Sequence, residues 1–572
     1  MQTAKMSDPN PIPTMSYGRN TNTADVLIIG AGLSGMTTAI EMIKKGLGRN
    51  FIIVEKGNQV GGTWNDQRYP GCCCDVWSHL YSLSFEPNPY WTREYPGQEE
   101  ILDYLISVAH KYQLYRHIRF NTAVSEARWD ASTNTWKSTL IRLGSKDAEF
   151  GSEYTVTSRF LVSAVGQLNV PKYPDIKGLE QFQGKKMHSA RWDWDYEVSG
   201  KRVGVIGNGA TAAQIVPEVA KVCKEIVVFQ RTPNWIIPRD DKEISRFMQG
   251  VYRWVPFVRR RYRAAMMDFR EAFYDAVFDK ESKFQEDVMA GAKAHMENQL
   301  PGDEYKDLRE KLLPRYAVGC KRVLITDDYY PTFRKENAKL ETSPIREITK
   351  RGVKVDGQEH EFDLLVLATG FQTTQFMYPI KIYGKDGKSI EELWKSGAKA
   401  FFGMTVPHLP NFGMLYGPNT NLGHNSIILM IEAQALYITS LISHVLNSST
   451  PISIAPKLST SEKYNEEIQS RLSNSAFADP NCNSWYKNES GLITNNWAGT
   501  VIEYQEKTRV INWDDYEVKD RYGKVVEQTG ETKWRRRHEE TQISNGMILG
   551  SLALGVGAVA MSVFGKSRLG LR

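Results

Sequence analysis

Cysteine is scarce in this 572-residue chain: there are six, three of them adjacent at Cys72, Cys73 and Cys74, and no CxxC spacing occurs. Neighbouring cysteines are poorly placed to pair with one another, so the sequence argues against a disulfide framework or a zinc site. A reducing compartment fits best. Net charge is also slight, +6 over the whole chain, which gives no case for nucleic acid as a partner. Residues 1–21 have neither an apolar core nor an Arg-rich amphipathic pattern. They read as a disordered leader rather than a signal or transit peptide.

What remains is the composition of a soluble globular protein, 41% hydrophobic and 24% charged, on a chain too long for a single core. One stretch departs from it. Residues 546–564, GMILGSLALGVGAVAMSVF, carry no charge and are long enough at helical rise to cross a hydrocarbon core. Lys533, Arg535, Arg536 and Arg537 precede the run; Lys566, Arg568 and Arg572 follow it. The expectation is a basic linker and C-terminal apolar helix over 531–572 that anchors the protein in a membrane, with the catalytic domains facing the cytosol. The alternative is a buried terminal helix rich in Gly and Ala.

Two dinucleotide patterns follow one another. DVLIIGAGLSG places an apolar strand, Val26 to Ile29, before a turn with Gly30, Gly32 and Gly35, then a helical pattern to about Lys45. A second strand, FIIVE, ends on the acid Glu55. Strand, glycine turn, helix, strand and acid are the parts of a fold whose backbone approaches a pyrophosphate at a helix start and whose carboxylate takes the ribose hydroxyls. The pattern recurs at KRVGVIGNGATAAQ, with the turn Gly207-Asn208-Gly209-Ala210-Thr211-Ala212-Ala213. Here the second strand ends on Gln230 and Arg231 instead of an acid. A carboxylate would repel a 2′-phosphate, whereas a guanidinium binds it, so this site prefers NADP. One acid-tipped and one arginine-tipped site call for two different dinucleotides, most economically FAD and NADP.

The fold class is therefore α/β, with two Rossmann-like dinucleotide-binding domains. The FAD-binding domain is expected over 22–175 and 372–530 and the NADP-binding domain over 176–371. Residues 240–313 form a charged, aromatic, largely helical insertion. Its run RRRYR reads as a solvated helix face, and its apolar positions could cap a substrate cavity or meet a membrane. A Gly/Asn-rich loop, YGPNTNLGHNS, leads into a helix at about Ser426, whose start could stabilise negative charge on a reduced flavin.

Between the two patterns lies FQGKKMHSARWD. Its Phe182, Gly184, His188, Trp192 and Asp193 resemble the fingerprint of type I Baeyer–Villiger monooxygenases, in the flavin-containing monooxygenase superfamily. The blocks GGTWNDQRYPGCCCD, VFQRTPNW, GCKR, ATGF and GPNTNLGHNS extend the resemblance over about 25–517. It implies FAD near Thr63, Trp64, Asn65, Asp66, Asp75, Val76 and Tyr81. It implies NADP near Cys73, Cys74, Asp75, the Gly207–Ala213 turn, Gln230 and Arg231, with Lys321 a further contact for the 2′-phosphate. Arg322 would be the active-site arginine and Asp75 the carboxylate beside it.

The implied reaction uses FAD, NADPH and O₂ to insert one oxygen beside a ketone carbonyl through a flavin C4a-peroxide. It needs a fixed cation to hold the oxyanions. A hydrophobic ketone, such as a natural-product intermediate at a membrane, would be the substrate; no metal is called for. The alternative is a nitrogen or sulfur oxygenase, or a hydroxylase. The linker segment itself would couple cofactor binding to domain rotation, with His188 as a staple rather than a proton carrier. Cys72, Cys73 and Trp77 depart from the family pattern near the cofactor, and Ala498 stands where related sequences often have proline.

Overall fold

A computed structural model describes residues 22–143, 152–279, 281–482 and 484–541. The leader and the apolar run at 546–564 lie outside these residues.

Val26, Leu27, Ile28 and Ile29 are all buried, as a central parallel strand covered on both faces requires. They belong to β1 (Thr23–Ile29), which leads through the glycine turn into α1 (Leu33–Lys44) and β2 (Phe51–Val54). Then come β3 (Ile118–Arg119), β4 (Thr122–Asp130), β5 (Thr135–Arg142) and β6 (Glu153–Ser163). A second set follows: β7 (Lys185–His188), β8 (Arg202–Ile206), α2 (Ala210–Val219) and β9 (Glu225–Phe229). The insertion supplies α3 (Arg246–Trp254), α4 (Pro256–Phe278) and α5 (Lys283–Gln299). The chain closes the second set with β10 (Ala338–Glu341) and β11 (Leu364–Leu367). It returns to the first with β12 (Lys381–Tyr383), β13 (Phe412–Met414) and α6 (Ile427–Asn447).

The first sheet runs β12-β4-β5-β6-β1-β2-β3, with β13 also paired to β6. β1 pairs in parallel with β2, Val26 opposite Phe51 and Ile29 opposite Val54. The second sheet runs β10-β9-β8-β11-β7, with Val203 of β8 opposite Ile226 of β9. In each sheet a strand–turn–helix–strand unit brings its glycine turn to the carboxyl ends of the strands, where open α/β sheets bind ligands.

Among the described residues one helix, α6, is long and apolar enough to cross a membrane, and 72% of its apolar window is buried within the protein. It packs along α1 as a core helix.

Four sequence expectations are corrected here. Lys185 to His188 are not linker but the edge strand β7, paired with Leu364 to Leu367. The fingerprint is thereby explained. Phe182 enters the core beside Ile206 and Phe229, His188 is buried, and Lys185 is tied to Asp193 at 2.5 Å. Burial holds the His188 imidazole below its ordinary pKa, which suits a neutral staple. Second, RRRYR is not wholly solvated: Arg263 is buried and bonds Glu539 at 2.5 Å and the Ser82 carbonyl at 2.9 Å. Third, the basic stretch at 533–537 is docked, because Arg537 pairs with Glu41 of α1 at 2.7 Å and with Glu432 of α6 at 3.6 Å. Fourth, Cys320 and Cys482 form a disulfide across 162 residues of sequence. Spacing gave no warning of it, since the partners meet only when the folded segments do.

Candidate active site

Both dinucleotide turns open onto helices whose first amides meet no capping side chain: Gly32 precedes α1 and Gly209 precedes α2. Neither helix has an acid in its first turn, so each start presents N–H groups and positive dipole to an anion. Close approach fixes two of the glycines. A Cβ on Gly35 would stand 1.9 Å from the Gly30 carbonyl oxygen, and one on Gly207, at φ +107°, would stand 2.4 Å from the Ala368 oxygen. These backbones fit a pyrophosphate that needs contact with bare main chain.

Glu55 follows β2 and is buried; its carboxylate accepts from the Ala31 N–H at 2.7 Å and the Gly57 N–H at 2.8 Å. It therefore ties the turn to the strand end while keeping lone pairs for a ribose. Burial raises its pKa, offset in part by those two N–H groups. Thr63 to Asp66 form one short helical turn that brings Gly62 against Gly32. Trp64 donates from Nε1 to the Tyr81 hydroxyl at 3.1 Å, and Asn65 is held by Arg68 at 2.6 Å. Val76 and Cys74 are buried in the same core.

In the second turn Asn208 donates to Gln230 Oε1 and to the Thr232 carbonyl, both at 2.9 Å. Gln230 is buried and donates to the Lys311 carbonyl at 2.8 Å, which leaves the exposed Arg231 to reach outward. Ala210 is exposed and Thr211 half-buried at the helix start. The structure does not bring Ala212 and Ala213 to the surface of the turn. Both side chains are buried against the sheet, and the Ala213 N–H bonds the Gly209 carbonyl at 3.0 Å. Lys321 lies 5.1 Å above the Tyr316 ring. Burial, and then Arg231 nearby, pulls its pKa down to about 8. A lysine whose charge is disfavoured by burial and by a guanidinium beside it fits a phosphate dianion.

Between these cradles Arg322 meets Asp75. Nε and Nη2 of the guanidinium both reach Asp75 Oδ2 at 2.8 Å, and Nη1 donates to the Leu422 carbonyl at 3.2 Å. About a quarter of each side chain is exposed, 24% and 30%. Burial pushes the Asp75 carboxyl up, but Arg322, helped by Arg270, more than offsets this and holds it below the usual carboxylate range. Asp75 in turn raises the Arg322 pKa against the pull of burial.

Sequence reasoning missed Arg270. It projects from α4, is buried, donates to the Asp75 main-chain carbonyl at 3.0 Å and lies 4.9 Å above the Trp77 ring. Trp77 in turn packs on Tyr95 and Phe269. The neighbouring Glu271 accepts from Asn425 at 2.8 Å. The insertion thus forms one wall of the site. A signal existed: Arg263 and Arg270 stand seven residues apart on the same buried stripe of α4 as Met266, Met267 and Val277. Also missed was Gln214 of α2, whose amide donates to the Cys73 carbonyl at 3.1 Å and accepts from the Cys73 N–H at 3.3 Å.

A chain that sets a carboxylate-tipped and a guanidinium-tipped dinucleotide fold around one arginine–aspartate pair has the design of a flavoprotein monooxygenase. The chain belongs to the flavin-binding monooxygenase-like family, whose profile matches residues 23–380. The FAD-binding monooxygenase ktnD of Aspergillus niger is 47% identical over 94% of this chain and 88% of its own length. A Baeyer–Villiger monooxygenase of Streptomyces coelicolor is 38% identical over 86% of this chain and 92% of its own. Among solved structures, OTEMO in complex with FAD and NADP matches with a TM-score of 0.76 and 28% identity. That match covers 86% of this chain and 99% of OTEMO.

Proposed function

We propose that this chain is a Baeyer–Villiger monooxygenase that uses FAD and NADPH to insert one atom of O₂ beside the carbonyl of a hydrophobic ketone. The overall reaction takes ketone, O₂, NADPH and a proton to ester or lactone, water and NADP⁺. FAD would be held by the domain at 22–175 and 372–530, through Gly30 to Gly35, Glu55 and the 63–66 turn. NADP would be held by 176–371, through Gly207 to Thr211, Arg231 and Lys321. Bound FAD, reduced by hydride from NADPH, supplies the activation of O₂.

The observation that carries the reading is the Arg322–Asp75 pair with Arg270 behind it. At the pair itself two guanidinium groups face one carboxylate, which favours an oxyanion held close to Arg322. Asp75 anchors Nε and Nη2, and the Leu422 carbonyl orients Nη1, so the charge is fixed in place before any substrate arrives. Arg270 holds the Asp75 main chain and adds to Arg322 in keeping that carboxylate ionised. The Trp77 and Tyr95 rings beside the pair offer an apolar face that favours a hydrophobic ketone.

Purified protein given NADPH, ketone panels and ¹⁸O₂ should yield ester carrying one labelled oxygen. Label found only in amine or sulfide oxides would reassign the chain to heteroatom oxygenation. The run at 546–564 is proposed as a membrane anchor with the catalytic domains on the cytosolic side. Its support is a charge-free length with basic residues on both sides. Full-length protein that stays soluble in a membrane fractionation would refute that part alone.

A further inference from the structure

We propose that the α3–α4 corner is a second membrane contact, a basic aromatic tip that docks on anionic lipid headgroups. The idea rests on the reading of the chain as membrane-associated. Four consecutive residues at the corner, Trp254, Val255, Pro256 and Phe257, are exposed, Trp254 by 80% and Phe257 by 60%; Phe247 of α3 is exposed by 77%. Large rings this open on a folded surface mark an interaction site.

The corner is not loose chain. Behind it the Tyr252 and Tyr262 rings stack with centroids 5.6 Å apart, and His79 packs on Tyr252 at 4.6 Å. Arg259 donates to the Tyr252 carbonyl at 3.2 Å. The rings are therefore held outward by a built base.

Charge selects the partner. Residues 246–267 contain six arginines, at 246, 253, 259, 260, 261 and 263, and no acid. Arg246, Arg253 and Arg260 are exposed beside the rings, and Arg253 lies 5.6 Å from the Trp254 ring. Exposed Trp and Phe flanked by Arg are the chemistry of an interfacial segment on an anionic bilayer.

The last described residue lies on the same face. The Thr541 N–H bonds the Asp268 carboxylate at 3.1 Å. Phe257 and Asp268 are eleven residues apart on α4, three turns that bring them to within about 20° of one face and about 16 Å along it. The apolar run begins five residues after Thr541, a span of at most about 18 Å. Anchor and tip can therefore meet one bilayer surface.

The test uses the full chain with Leu552→Arg and Val559→Arg, which prevent the apolar run from spanning a membrane. This protein should float with phosphatidylserine-containing vesicles, not with phosphatidylcholine alone, and be released by salt. Adding Trp254→Ser and Phe257→Ser should cut the vesicle-bound fraction about tenfold or more, with flavin absorbance and NADPH oxidation retained. The proposal is overturned if the chain with the blocked run does not prefer anionic vesicles, or if the serine pair leaves binding unchanged. It is equally overturned if the serine pair changes only the mass in solution, which would make the tip a contact between copies. Anchor failure reads differently: the unmodified chain would then be stripped from vesicles by salt as readily as the Leu552→Arg, Val559→Arg chain.

Discussion

Arg322 has its donors committed in two directions, to Asp75 through Nε and Nη2 and to a main-chain carbonyl through Nη1. Arg322→Ala should lower ester formation by about a hundredfold or more, the scale of losing a fixed oxyanion donor. Flavin reduction by NADPH, followed by stopped-flow bleaching, should survive. Arg322→Lys should not rescue, because one ammonium cannot hold both sets of acceptors. Lys321 makes a prediction about pH. Its depressed pKa of about 8 means that the charge proposed to meet the 2′-phosphate is lost as pH rises through that value. kcat/KM for NADPH should fall there, while that for NADH should not follow. Arg231→Ala should shift the break to higher pH and shrink the preference for NADPH about ten- to a hundredfold. By linkage, Lys321 opposes folding most where it must be charged, so its contribution to stability improves as pH climbs from about 8 toward the usual lysine range.

At the scale of elements, α4 joins the site to the C-terminal segment. Arg263 is buried against Glu539, with side-chain exposures of 7% and 8%. Removing one partner of such a pair strands a buried charge, so Glu539→Ala should cost about 3 kcal/mol in urea unfolding, and pairing Arg263→Met with Glu539→Leu should recover much of it. Strands and turns were readable in the sequence for a physical reason. Four buried residues in a row before a glycine turn, as in Val26 to Ile29, have few other solutions. Asp75 and Arg322 were nameable only through the family blocks that contain them, since 247 residues separate them. Arg270 escaped because α4 reads as a charged helix, and its partner is a main-chain carbonyl with no sequence signature. β7 was misread because only four residues pair, on the edge of a sheet whose other strands lie elsewhere in the chain.

At the scale of the whole molecule, the Cys320–Cys482 disulfide ties the segment that carries Lys321 and Arg322 to the chain after α6. A cross-link over so long a loop restricts the unfolded chain, so Cys482→Ser, or reduction, should lower stability by about 2–4 kcal/mol. Thermal unfolding with and without reductant checks this, and a midpoint indifferent to reductant would place the thiols free in solution.

The Gln214 amide reaches from α2 to hold both the N–H and the carbonyl of Cys73, two residues before Asp75. If the second dinucleotide turn holds NADP as proposed, coenzyme preference is no detachable module in this scaffold. An engineer who swaps the Gly207–Ala213 turn for that of an NADH-dependent relative and lets Gln214 go with it would also unseat the carboxylate that aims Arg322. Keeping that single glutamine is the condition for changing the electron donor without disturbing oxygen transfer.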